Sequence, residues 1–192
     1  MDKFLIACLG NIGPEYSGTR HNAGFDVADA LAGKYQVQFQ SSRLADLAEI
    51  RLKGKLLVVI KPTTYMNLSG KAVRYWLEKE KIDISRLLVV LDDIAIPLSR
   101  IRIRPSGNDG GHNGLTSIQE TLGTIDYPRL RFGIGGDFPK GRQVDFVLGK
   151  WGIGEMNIVR EKIDKSVEAI ETFALRGLES AMNEVNKLNF GS

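Results

Sequence analysis

Phe4-Leu5-Ile6-Ala7-Cys8-Leu9, closed by Gly10, is a short unbroken apolar run. A half-exposed strand alternates apolar with polar residues, whereas an unbroken run of this length suits a strand covered on both faces, as in parallel sheets. Leu87-Leu88-Val89-Val90-Leu91 repeats the pattern and ends in Asp92-Asp93. Between the two runs the period becomes helical: Phe25, Ala28, Leu31, Ala32 and Tyr35 share one face, with Asn22 placed to cap the start. A second helix follows Met66-Asn67-Leu68-Ser69-Gly70 and carries Val73, Trp76 and Leu77, with Ser69 as its cap. Leu47 to Leu52 and Leu56 to Ile60 flank Lys53-Gly54-Lys55 as a hairpin. Arg100-Ile101-Arg102-Ile103-Arg104 and Arg129-Leu130-Arg131-Phe132 alternate as strands with a basic face. A short helix bearing Leu115, Ile118 and Leu122 lies between them. One long final helix is expected from about Glu155, with Ile163, Val167, Ile170, Ala174 and Leu178 in a single stripe.

This alternation predicts an α/β fold with a mostly parallel, mixed central sheet, forming one domain over residues 1–192. In open sheets of this kind the binding crevice lies beyond the carboxyl ends of the strands, where Asn11, Met66, Asn67 and Asp92 would emerge. Hydrophobic residues at 43% and charged residues at 26% are ordinary globular values, and no apolar run approaches the ~20 residues that cross a bilayer. Phe4 to Leu9 is too short for a secretory signal, so the expectation is a cytoplasmic protein without membrane association. The lone cysteine, Cys8, sits in an apolar run and reads as an inert core thiol. A net charge of +3 is compatible with a polyanionic partner without requiring one.

The chain has two histidines, His21 and His112, each followed by asparagine in a glycine-flanked segment. Imidazole titrates near neutrality, which makes both candidates for proton transfer, although loops also carry idle histidines. Gly10-Asn11-Ile12-Gly13 lacks the full dinucleotide-binding spacing, and no phosphate-binding P-loop is present. Ser69 is not in a Gly-x-Ser-x-Gly turn, and the histidines lack zinc-ligand spacing, so neither a serine nucleophile nor a metal is expected. A histidine paired with a carboxylate, surrounded by carboxamides, remains: Asp92 would fix the His21 tautomer so that the other ring nitrogen takes a proton from water. Asn11, Asn67 and Asn113 could orient substrate and donate to an oxyanion without adding charge. Asn11 and Asn113 also read as plain turn residues.

Six segments together resemble bacterial-type peptidyl-tRNA hydrolases along nearly the whole chain. They are Leu9-Gly10-Asn11-Ile12-Gly13-Pro14-Glu15-Tyr16, Thr19-Arg20-His21-Asn22-Ala23-Gly24, Lys61-Pro62-Thr63-Thr64-Tyr65-Met66-Asn67-Leu68-Ser69-Gly70, Gly110-Gly111-His112-Asn113-Gly114, Arg131-Phe132-Gly133-Ile134-Gly135 and Val147-Leu148-Gly149-Lys150. The resemblance implies a monomeric α/β/α sandwich that cleaves the ester between peptide and tRNA 3′ end, using no cofactor and no metal. It makes His21 the proton acceptor, Asp92 its orienting acid, and Asn11 a residue that distinguishes peptidyl-tRNA from aminoacyl-tRNA with a free amine. Tyr16, Tyr65, Asn67 and Asn113 would contact substrate, Met66 and His112 would line the cleft, and Arg104 and Arg131 would lie near the tRNA 5′ phosphate.

The chain departs from the family pattern in two places. Ala95 replaces a second acid after Asp92-Asp93, and the loop before His112 reads Ser106-Gly107-Asn108-Asp109-Gly110-Gly111, less glycine-rich and more acidic than is usual. Both changes would touch substrate handling rather than bond breaking. Two alternatives to a hydrolase are a non-catalytic RNA-docking protein that retains the cleft and a small dinucleotide-dependent enzyme.

Overall fold

The computed structural model describes residues 1–191. Its sheet has seven strands: β1 (Asp2–Cys8), β2 (Gln40–Ser41), β3 (Ala45–Leu52), β4 (Lys55–Pro62), β5 (Leu87–Asp93), β6 (Ile101–Arg104) and β7 (Arg129–Gly133). The spatial order is β2-β3-β4-β1-β5-β7-β6. β4, β1, β5 and β7 run parallel through the centre, while β2, β3 and β6 pair antiparallel at the margins.

The apolar runs at β1 and β5 follow from this placement. Phe4, Ile6, Cys8, Leu88 and Val90 point into one core, and Leu5, Ala7, Leu9, Leu87, Val89 and Leu91 into the other. Helices α1 (Ala23–Lys34), α5 (Met156–Arg176) and α6 (Leu178–Val185) cover the first face; α2 (Ser69–Glu80) and α3 (Asn113–Leu122) cover the second. Two covered faces leave no polar side, so period-two alternation disappears from the central strands. The Cys8 thiol is fully buried, and burial pushes its pKa up, consistent with a core role.

Three local expectations need correction. The C-terminal stripe is split: α5 ends at Gly177, whose φ of 97° is open to glycine at little cost, and Leu178 begins a separate helix. Asn22 and Ser69 make no side-chain cap on α1 or α2. The Ser69 hydroxyl instead donates to Met66 O at 2.7 Å, tightening the turn that enters α2. A short helix, α4 (Gln143–Val147), and the two-residue β2 gave no periodic signal, being too short to complete a pattern.

At the carboxyl ends of β1 and β5 the first turn of α1 presses directly on backbone. A Cβ at Gly24 would stand 2.5 Å from Leu9 O and 2.7 Å from Val90 O, so only glycine lets this helix start approach both strands. The 3-10 turn Arg20–Asn22, just ahead of α1, is thereby held over the end of β5.

Candidate active site

Asp92 is the penultimate residue of β5, and the residue is almost fully buried, at 1% exposure. One carboxylate oxygen, Oδ2, lies 2.8 Å from His21 Nδ1, and the other, Oδ1, lies 2.9 Å from His112 Nε2. Burial alone would push this carboxyl up; the His112 and His21 imidazoles, by charge and hydrogen bond, outweigh burial and bring it to about 2. Asp92 is therefore ionised at neutral pH and accepts from both rings.

The backbone decides the tautomers. His112 precedes α3, and its Nδ1 accepts from the Gly114 amide at 3.0 Å and, more weakly, from the Leu115 amide at 3.4 Å. A backbone amide can only donate, so the His112 proton resides on Nε2, facing Asp92. Both ring nitrogens of His112 are committed. His21 differs: Nδ1–H donates to Asp92, and Nε2 keeps a lone pair with no hydrogen-bond partner among the described residues. The two ring centroids are 5.0 Å apart.

His21, Asp92 and His112 place potential metal-ligand atoms within 4.8 Å of one another. A ligand nitrogen needs a free lone pair, however, and the Asp92-facing nitrogens carry the protons of the hydrogen bonds just described. The geometry is that of a hydrogen-bonded triad with one free base.

Around it, Asn11 Oδ1 accepts from Met66 N at 2.7 Å, joining the loop after β1 to the one after β4. A Cβ at Gly114 would stand 2.8 Å from Met66 Sδ and 3.0 Å from His112 Cε1, so glycine allows these side chains to share the floor. A cavity of about 80 Å³ adjoins the triad, lined by His21, Asp92, His112, Asn113, Asp93, Arg131, the glycine loop and Val144 and Val147 of α4. Arg20 pins α4 there: its guanidinium donates to Phe146 O at 3.1 Å and lies 4.3 Å from the Phe146 ring.

The cavity thus brings together His21, Asp92, His112 and Asn113, whereas Asn11 and Met66, joined by their own hydrogen bond, lie outside its lining. Tyr16, Tyr65, Asn67 and Arg104 lie outside the lining of this cavity; Tyr65 is 50% exposed, and Asn67 and Arg104 are also exposed. Arg131 reaches the cavity already engaged, paired with Asp93 at 2.9 Å and donating to Asn108 O at 3.2 Å. The supporting roles of three residues were missed in the sequence, which offered Asn22 as a helix cap, Asp93 as a strand-end acid and Arg129 as part of a basic face: the Asn22 carboxamide holds the Asn11 backbone, Asp93 holds Arg131, and Arg129, buried at 1% exposure, donates to Gly107 O at 2.7 Å and to Ile125 O at 2.5 Å. The position of Asn22 beside His21 was the only available hint.

Residues 5–191 match the sequence profile of a family described as peptidyl-tRNA hydrolase. The chain is 50% identical over 185 residues to the peptidyl-tRNA hydrolase of Phocaeicola vulgatus, covering 96% of this chain and 99% of that one. It is also 50% identical to that of Porphyromonas gingivalis, over 96% of this chain and 100% of the relative. The crystal structure of peptidyl-tRNA hydrolase from Acinetobacter baumannii superposes with a TM-score of 0.91 at 32% identity, covering 97% of this chain and 95% of that one.

Proposed function

The chain belongs to the peptidyl-tRNA hydrolase family, and from that premise we propose that it cleaves the ester joining a peptide to the 3′ end of tRNA by water that His21 activates. The observation that carries the mechanism is the unequal state of the two imidazoles: His112 has no free nitrogen, whereas His21 Nε2 does. Nε2 takes a proton from water as the oxygen attacks the ester carbonyl, and ionised Asp92 stabilises the imidazolium that forms. The tetrahedral oxyanion accepts hydrogen bonds from neutral carboxamides, with Asn67 and Asn113 as donors and Asn11 directed at the peptide. The proton on Nε2 then passes to the departing 3′ oxygen, which restores the base without a covalent intermediate.

The substrate reading also draws on charge. Arg102 stands opposite Arg131, and Arg104 opposite Arg129, in the antiparallel β6–β7 pair. Arg131 is already balanced by Asp93 and Arg129 is buried against backbone carbonyls, which leaves Arg102 and Arg104 on this face for a phosphate backbone.

The test is single-turnover hydrolysis of N-acetyl-aminoacyl-tRNA in the presence of a chelator. Wild type is expected to release the amino acid, and His21→Ala to lose about 10²–10⁴-fold in rate. An unchanged rate in His21→Ala overturns the assignment of the base, and wild-type binding without cleavage supports a docking role instead.

A further inference from the structure

Asn22 is the second residue of a bond pair that the reaction described above does not use. It is 3% exposed and meets the Asn11 backbone at both polar atoms: Asn11 N donates to Asn22 Oδ1 at 2.8 Å, and Asn22 Nδ2 donates to Asn11 O at 2.9 Å. The side chain stands at the N-cap position of α1, where asparagine usually accepts from the first free amides of the helix, yet it makes no such bond. Its carboxamide is turned away from its own helix and toward the loop after β1.

The same 3-10 turn, Arg20–Asn22, carries His21. Asn22 is therefore a short rigid strut between the free base and Asn11. At its far end, Asn11 Oδ1 is occupied by the Met66 amide at 2.7 Å. The Met66 amide orients the carboxamide, and Asn11 Nδ2, which has no partner among the described residues, can only donate to a substrate. A donor suits the carbonyl of an acylated α-nitrogen, whereas the ammonium of an unblocked aminoacyl ester has no acceptor to offer it.

We propose that Asn22 is a positioning residue of the hydrolytic site: by clamping the Asn11 backbone to the turn that bears His21, it sets the distance between the Asn11 donor and the attacking water. This rests on the reading of the substrate as peptidyl-tRNA. Since a displacement of about 1 Å in a site of this kind costs on the order of 10²-fold in rate, the clamp acts on turnover and selectivity more than on affinity.

The experiment compares wild type, Asn22→Ala, Asn11→Ala and the double variant on N-acetyl-aminoacyl-tRNA and on the unblocked aminoacyl-tRNA. Wild type that cleaves neither substrate would refute the functional reading itself, before the variants are compared. Given wild-type turnover, Asn22→Ala is expected to lower kcat by about 10-fold or more, to leave KM within about threefold, and to narrow the preference for the blocked substrate. The double variant should be no slower than Asn11→Ala alone, because a residue acting through another adds nothing once its target is gone. Wild-type kcat and selectivity in a folded Asn22→Ala protein, or losses that simply multiply in the double variant, would overturn the proposal. Should circular dichroism show Asn22→Ala to be unfolded, Asn22→Asp carries the same comparison. It is isosteric and keeps the acceptor for Asn11 N while losing the donor to Asn11 O, and it is expected to show a kcat defect with the same non-additivity.

Discussion

Tyr65 holds a backbone conformation, φ 61° and ψ 158°, that is close to glycine-only, and its ring is half exposed. Such geometry costs about 1–3 kcal/mol and persists where surrounding contacts impose it. Here the next residue explains it: the kink delivers the Met66 amide to Asn11 Oδ1. Tyr65→Gly should therefore keep or raise the thermal midpoint, since relief of strain offsets the greater freedom of the unfolded chain, while KM for peptidyl-tRNA rises for want of the ring. A fall of several degrees by scanning calorimetry would mean that the ring packs rather than recognises. At this scale the sequence singled out candidate side chains but not their hydrogen-bonding states. Two His-Asn pairs look alike along the chain, and only the amides of Gly114 and Leu115 commit His112 and leave His21 free.

The β6–β7 pair illustrates the same division one level up. Alternation made the basic face legible, because arginine at every second position must share a side. Which arginines remain available depends on neighbours distant in sequence. Arg129 is spent on the carbonyls of Gly107, Ile125 and Tyr127, and Arg131 on Asp93 and Asn108, so both fasten the loop that leads to His112. Arg104 is exposed. Arg104→Ala is expected to weaken tRNA binding and to flatten the dependence of log K on log salt by about one phosphate contact, with an unchanged melting temperature. Arg129→Ala is expected to lower the melting temperature by about 5 °C or more, since it strands the buried Tyr127 carbonyl and the part-buried carbonyls of Gly107 and Ile125. Identical effects of the two substitutions in filter-binding and melting assays would contradict this split. The open edge of β6 is closed by Asn186, whose carboxamide pairs with both the N–H and the C=O of Ile103 at 2.7 and 3.0 Å.

Over the whole molecule one costly feature lies far from the triad in sequence. Lys162, on α5, is fully buried; its amine donates to Gly133 O and lies 4.0 Å from the Phe132 ring. Burial pulls its pKa from 10.5 down to about 7. Between those values the unfolded chain binds more protons than the folded one, so stability rises with pH by up to about 1.4 kcal/mol per unit from this group. Lys162→Met should remove that slope between pH 7 and 9 in urea unfolding and be at least as stable as wild type at pH 7. A slope that survives the substitution would assign it to other groups. Asp26 acts in a separate, acidic window: burial pushes its pKa from 3.8 up to about 6, so it lowers stability as pH rises through that interval.

What the chain determined by itself was periodicity: unbroken apolar runs for strands with two covered faces, helical stripes between them, and asparagines, histidines and acids at the loop positions where parallel strands end. Those signals are local, because side-chain burial follows the repeat of the element that carries it. The tertiary structure decided what local pattern cannot encode. It set which imidazole keeps a free nitrogen, which arginines are already paired, that Asn22 turns from its helix to Asn11, and that the last stripe breaks at Gly177. Each of these depends on hydrogen-bond partners or backbone geometry supplied when distant segments pack together, and a donor or acceptor has no assigned partner until they do.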